Sequence, residues 1–208
     1  VRFSFAMPYT QRHLDAFLKD IGDHPALKKD ILCKSKKGRD VERLHLGKLE
    51  GEPRFRVLIT GRSHACEMMA SYSVEGIIQS VLADDAQGKW FRDNVEMLVI
   101  PFVDKDGTED GDQGRNRAPR DHNRDYDANA LYSETRALQE YVPKWSDGKL
   151  RVALDIDDRD IGPPPHREPF PRELLRERGA RVRPRHLGAG HPAPGHLVWS
   201  LLAGTAPG

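Results

Sequence analysis

The chain has 208 residues, 31% of them charged, and its 33 Lys and Arg against 32 Asp and Glu leave a net charge of +1. That balance gives no bulk electrostatic case for nucleic acid or an anionic membrane surface as partner. No apolar run approaches the roughly 18 residues that span a bilayer, and two cysteines, Cys33 and Cys66, are too few for a disulfide framework. The length suits one good-sized core, and the scarce cysteines favour a reducing, cytoplasmic compartment. No signal-peptide pattern is present. The chain opens on Val1 rather than Met, which implies native sequence upstream, and any targeting signal with it.

Residues 1–8 are apolar and aromatic (Phe3, Phe5, Met7) and read as a strand or as a linker from an upstream part. Leu14, Phe17, Leu18 and Ile21 then fall at helical spacing, with Thr10 as N-cap, so a helix is predicted over 10–21. Residues 25–31 suggest a short helical turn, and Lys34 to Arg39 a solvated basic turn. Val41 to Leu46 and Phe55 to Ile59 read as strands, joined by a hairpin-like connection over Gly47 to Pro53. A helix follows over 67–82, in which Met68 and Met69 are expected to pack in the core.

Val95 to Val103 is nearly continuous apolar sequence, the mark of a strand covered on both faces. Asp104 to Gly114 reads as a long polar loop; its acid spacing is that of a calcium loop in part, but no Glu closes it. A second amphipathic helix is expected over 129–141, and Leu150 to Ile156 is the last clear strand. Alternating strands and helices predict an α/β layered domain.

Beyond residue 150 the composition changes: nine Pro and nine Arg follow, with no Lys, Asn, Tyr or Met. We read residues from about 157 onward as out-of-frame or otherwise non-native sequence, with a Pro/Arg-rich disordered tail as the alternative. Sequencing the gene around codon 157 decides this, and the idea fails if the alternative frame holds no plausible continuation.

The polar residues near the predicted strand ends carry the chemistry. His64 and Glu67 follow one strand as His-x-x-Glu, and positions three apart converge on one face of a helical turn. Imidazole nitrogen and carboxylate oxygen are both zinc donors, and a catalytic zinc needs a third protein ligand. On the pair alone, the plainer reading is a surface His beside a helix-opening Glu. Arg115, Arg117 and Arg120 lie in the loop after another strand, ahead of Asp121-His122-Asn123-Arg124-Asp125-Tyr126, and Asp157 follows a third. A metal polarises a carbonyl and activates water, while an Arg fork holds a carboxylate. Together they suit hydrolysis of a substrate bearing a free carboxylate. A solvated basic loop or a phosphate site is the plainer reading of the arginines. Cys66, inside the motif, is read as a small buried filler rather than a ligand or redox thiol.

Gly61-Arg62-Ser63-His64-Ala65-Cys66-Glu67, Asp104-Lys105-Asp106-Gly107 and Asn123-Arg124-Asp125-Tyr126 resemble, in order, the zinc carboxypeptidases of the carboxypeptidase A type, and most nearly the bacterial branch related to cytosolic carboxypeptidases. Lys36-Lys37-Gly38-Arg39-Asp40 leading into Val41, and the strand Leu150 to Ile156, add to the likeness, which covers about residues 30–157. The resemblance implies an α/β fold with a mixed, mostly parallel sheet flanked by helices, here truncated on its C-terminal side. It divides the chain into a segment or linker over 1–30, a partial catalytic domain over 31–157 and an atypical tail over 158–208. It implies Zn2+ held by His64 and Glu67, with Asp157 where the family has a His. It implies a C-terminal carboxylate bound by Asn123 and Arg124, and an oxyanion stabilised by Arg117 in preference to Arg115. No counterpart to the family's general-base Glu or capping Tyr is found.

The implied reaction is removal of C-terminal residues from peptides, with weak or absent turnover in this chain as it stands. An aspartoacylase-like amide hydrolase acting on N-acyl amino acids, and a non-catalytic protein binding carboxylate-ended peptides, are the rival readings. The partner is a peptide or small carboxylate-bearing substrate, with no nucleic acid and no membrane; the sequence leaves the oligomeric state open.

Overall fold

The computed structural model describes residue 4 and residues 6–156, apart from Asn116. Helix α1 (Gln11–Ile21) leads into a hairpin of β1 (Leu27–Lys34) and β2 (Asp40–Gly47). Strand β3 (Phe55–Gly61) is followed by helices α2 (Met68–Leu82) and α3 (Ala86–Asn94). After β4 (Val95–Ile100) come α4 (Lys105–Asp110), a 3-10 turn over His122–Arg124, helix α5 (Ser133–Ser146) and β5 (Leu150–Ile156). The sheet order is β1-β2-β4-β3-β5. β1 with β2 and β2 with β4 are antiparallel; β4 with β3 and β3 with β5 are parallel. The sheet is therefore mixed, and its parallel half ends at the candidate site.

Period-two alternation sorts the central strands between two cores. Leu58, Leu98 and Ala153 point to one face, where Leu138, Val142 and Trp145 of α5 cover them. Ile59, Met97, Val99 and Ile156 point to the other, against Ala70, Val74, Ile78 and Val81 of α2. Phe17, Leu18 and Ile21 of α1 and Phe91 of α3 complete that second core. Helices on both faces are what make β3 and β4 read as continuous apolar runs.

Several local expectations are corrected. Residues 27–34 form a strand and not a helical turn, because β1 takes its conformation from long-range pairing with β2, from Leu27↔Leu46 to Lys34↔Asp40. The basic turn over 35–39 is thus the hairpin loop. Gly47 to Pro53 does not join neighbouring strands, since β4 inserts between β2 and β3. Gly47 sits there at φ 90°, and a Cβ on it would stand 2.3 Å from the Val95 carbonyl oxygen.

The stretch after β4 is not all loop. Asp104 caps α4 by accepting from Gly107 N at 2.9 Å, and Gly111 ends it in the left-handed region at φ 81°. The later helix begins at Ser133 and not 129. The Asp125 carboxylate accepts from Leu131 N, Tyr132 N and Thr135 Oγ1, which holds the preceding segment as a loop.

The boundary drawn at residue 30 falls inside β1. Of the expected Met pair, Met68 packs beside Tyr9, Leu14 and Phe102, whereas Met69 is 43% exposed. No helix among the described residues is long and apolar enough to cross a membrane. The compositionally odd tail lies outside the described residues.

Candidate metal centre

The parallel strands β3 and β4 end side by side, the place where open α/β sheets build their sites. Their extensions stay joined: Val103 N donates to Gly61 O at 3.0 Å and Asp104 N to Arg62 O at 2.9 Å. The chain leaves β3 through Arg62, which takes a left-handed φ of 59°. For a side chain with a Cβ that conformation costs about 1–3 kcal/mol and persists only where the surroundings hold it. Thr60 Oγ1 (2.7 Å) and Ser63 Oγ (3.2 Å) both donate to Asp155 Oδ1 of β5 and fix the start of the turn. Helix α2 then starts at Met68, directly after Glu67.

His64 and Glu67 are 7% and 2% exposed, so the surface reading of this pair does not hold. His64 Nδ1 lies 2.6 Å from Glu67 Oε1. The other ring nitrogen, Nε2, lies 3.2 Å from each oxygen of Asp121. A carboxylate on one imidazole nitrogen fixes the ring's tautomer and orientation and leaves the other to face a ligand. Asp121 itself is desolvated, yet the His64 contact and the Asn123 N–H hold it below the usual carboxylate range. Asp121 is the site residue that spacing could not single out: 57 positions separate it from His64.

Arg115 Nη2 stands 3.0 Å and Nε 3.3 Å from Glu67 Oε1. It is delivered by close backbone contact. Gly114, at φ 89°, lies so near the motif that a Cβ would stand 2.4 Å from Ala65 N, and Cys66 N donates to Gln113 O at 3.1 Å. Cys66 is half-buried, and that burial raises its thiol above its ordinary range.

Arg117 is placed elsewhere: Nη1 donates to Asp104 Oδ1 at 3.0 Å and Nη2 to Asp112 Oδ2 at 2.9 Å. Arg120 reaches Asp125 at 3.1 Å and Asp127 at 3.0 Å. Asn123 and Arg124 lie on the 3-10 turn that Asp121 caps from Asn123 N at 2.8 Å, and Arg124 is exposed. The Asn123 Oδ1 atom is buried with no hydrogen-bond partner. His122, 2% exposed, stacks on Tyr132 with ring centroids 3.8 Å apart. Burial, then the Arg117 charge, lowers its pKa to about 4. Asp157 lies outside the described residues, and among the described residues no group of three or more His, Cys, Asp or Glu is arranged to hold a metal.

The donor chemistry of the pair fits a divalent cation. A carboxylate almost wholly out of water takes contacts from a ring nitrogen and a guanidinium at Oε1, and the ring is braced from behind by a second carboxylate.

The family model described as zinc carboxypeptidase matches residues 14–148. Cytosolic carboxypeptidase 3 of Bos taurus is 29% identical over 132 residues, which cover 60% of this chain and 13% of that protein. The metallo-carboxypeptidase of Burkholderia cenocepacia superposes with a TM-score of 0.62 at 25% identity, over 73% of this chain and 42% of that one. The metallo-carboxypeptidase of Pseudomonas aeruginosa, solved in complex with (2-guanidinoethylmercapto)succinic acid, gives 0.60 at 23% identity, over 73% of this chain and 40% of that one. The chain thus spans well under half the length of these relatives.

Proposed function

The chain belongs to the zinc carboxypeptidase family, and from that premise we propose that it is a metallocarboxypeptidase-like hydrolase acting on the C-terminal residue of peptides. The observation that carries the proposal is the buried convergence of His64 Nδ1 and Glu67 Oε1 at 2.6 Å, with Asp121 behind the imidazole. His64 and Glu67 would hold Zn2+, with Asp157 supplying the third protein donor. When bound, zinc lowers the pKa of a water and polarises the scissile carbonyl.

This chain's own residues supply binding and charge. Asn123, through its Nδ2, and Arg124 bind the substrate's free carboxylate from the 3-10 turn that Asp121 caps. Of the two arginines expected at the oxyanion, Arg115 already lies against Glu67, whereas Arg117 is occupied by Asp104 and Asp112. That favours Arg115 as the cation nearest the reacting carbonyl in this arrangement. The relative solved with a guanidino-substituted succinic acid supports a carboxylate-bearing substrate. The names of the curated relatives support a cytosolic setting.

Zinc content of the purified chain by elemental analysis tests the reading: about one zinc per chain is expected, and none in His64→Ala. No zinc in either protein overturns it. Release of C-terminal residues from short peptides, assayed beside cleavage of N-acyl amino acids, separates a carboxypeptidase from an aspartoacylase-like activity. Peptide binding without turnover in a zinc-loaded chain would leave a non-catalytic binder.

A further inference from the structure

Arg62 is 2% exposed and is among the largest fully buried side chains. Arginine is almost never buried this completely without a paired charge. Here the guanidinium donates to neutral oxygens: Nε to the Ala65 carbonyl at 3.1 Å, and Nη1 to the Tyr9 carbonyl at 3.0 Å and to Ser71 Oγ at 3.1 Å. The Phe102 ring lies beneath it, 5.8 Å from the guanidinium carbon to the ring centroid. Burial lowers its pKa to about 10, which still leaves it a cation at neutral pH. A left-handed backbone and a desolvated cation thus coincide at one residue, two positions before His64.

The acceptors explain the placement. Ala65 is the residue between His64 and the Cys66–Glu67 step, and its carbonyl is drawn back toward Arg62, closing the turn. Tyr9 belongs to the segment ahead of α1. It is 2% exposed, and its hydroxyl donates to Glu75 of α2 at 2.6 Å. Ser71 lies in the first turns of α2. One fork therefore ties the turn to both the upstream segment and the helix that Glu67 opens. Positioning of site residues to about half an ångström needs such support.

We propose that Arg62 is the positioning residue of the metal loop, making His64 Nδ1 and Glu67 Oε1 converge by holding the Ala65 carbonyl against Tyr9 and Ser71. The proposal rests on the reading of His64 and Glu67 as metal ligands. Lysine retains the charge but not the planar fork, so Arg62→Lys loosens the turn without removing the cation.

The test uses the full chain, stripped of metal. Zn2+ affinity is measured by chelator competition, the visible spectrum of the Co2+-loaded protein reports ligand geometry, and thermal unfolding of the metal-free protein reports the fold. Arg62→Lys is expected to weaken Zn2+ binding about 10- to 100-fold and to change the Co2+ bands. Ser71→Ala, which removes one anchor and leaves the fold in place, is expected to weaken it about two- to tenfold. Trp145→Phe, at the far end of the sheet, lowers the unfolding temperature with Zn2+ affinity and Co2+ bands unchanged. Wild-type affinity in both Arg62→Lys and Ser71→Ala overturns the positioning role, as does an equal loss in Trp145→Phe. If Arg62→Lys does not fold, Ser71→Ala decides. A wild-type chain that binds no Zn2+ overturns the ligand reading and the positioning role together.

Discussion

Glu96 at the start of β4 is a half-buried carboxylate and Asp104 four residues past its end a buried one, and desolvation has opposite outcomes for them. Desolvation alone would raise Glu96. It is outweighed by His45 Nδ1 at 3.0 Å, Trp145 Nε1 at 2.8 Å and Arg56 Nε at 2.8 Å, and the pKa falls to about 2. Asp104 is 1% exposed, and desolvation wins: its pKa rises to about 6 although Gly107 N and Arg117 both donate to it. Around Glu96 the donors match the acceptors. His122 and Thr108 both contact Asp104, and His122 Nδ1 and Thr108 Oγ1 are buried with no hydrogen-bond partner. The amino end of the parallel strands holds Glu96 with three side-chain donors and serves stability. The carboxyl end keeps polar capacity that the protein does not use up, which is how a binding site differs from a core.

The comparison breaks most visibly at the proposed zinc ligands. Glu67→Ala should take the chain from about one bound zinc to none, read by elemental analysis, whereas Glu96→Gln should leave zinc content unchanged. Equal zinc in Glu67→Ala would erase the distinction between the two ends.

The next effect is on the pH dependence of the metal-free protein, measured by urea unfolding. Glu96 titrates below its ordinary 4.5 when folded, so its stabilisation is present above that value and lost as pH falls toward about 2. The loss is about 3 kcal/mol at most. Asp104 titrates above its ordinary 3.8, so stability is fully present below that value and declines as pH rises to about 6. Glu96→Gln should flatten the acid limb and Asp104→Asn the limb between 4 and 6. Parallel curves for wild type and both variants would defeat the assignment.

Asp121→Ala comes third. Without the carboxylate behind Nε2, zinc affinity should drop about 10- to 100-fold, by about 1.4–2.7 kcal/mol, with a chelator titration as the check. Trp145→Phe is the smallest. It removes one of Glu96's donors, is worth about 1 kcal/mol in unfolding, and should leave zinc affinity as it was.

What could be read from sequence divides along the reach of each interaction. His64 and Glu67 were legible because the pair is local and a three-residue spacing already implies a shared face. The strands β3 and β4 were legible because two-sided burial writes itself as apolar runs, and β2 because its apolar and polar residues alternate. β1 was not, since Lys28, Lys29 and Asp30 give it a polar look and only its pairing with β2 makes it a strand. α4 was hidden by Gly107 in its middle, although Asp104 before it and Gly111 after it are ordinary boundary signals. The insertion of β4 between β2 and β3 and the bracing of His64 by Asp121 are long-range facts with no local trace. The same holds for Arg115, whose contact with Glu67 spans 48 positions.

Gly114 shows what such long-range contact means mechanically. Two loops about fifty positions apart touch backbone to backbone there, with less room between them than a single methyl group needs. Neither can then move far by itself: the loop bearing His64 and the loop bearing Arg115 share one joint. A disturbance in either, whether a substitution or an arriving substrate, is felt in the other as displacement rather than absorbed as slack.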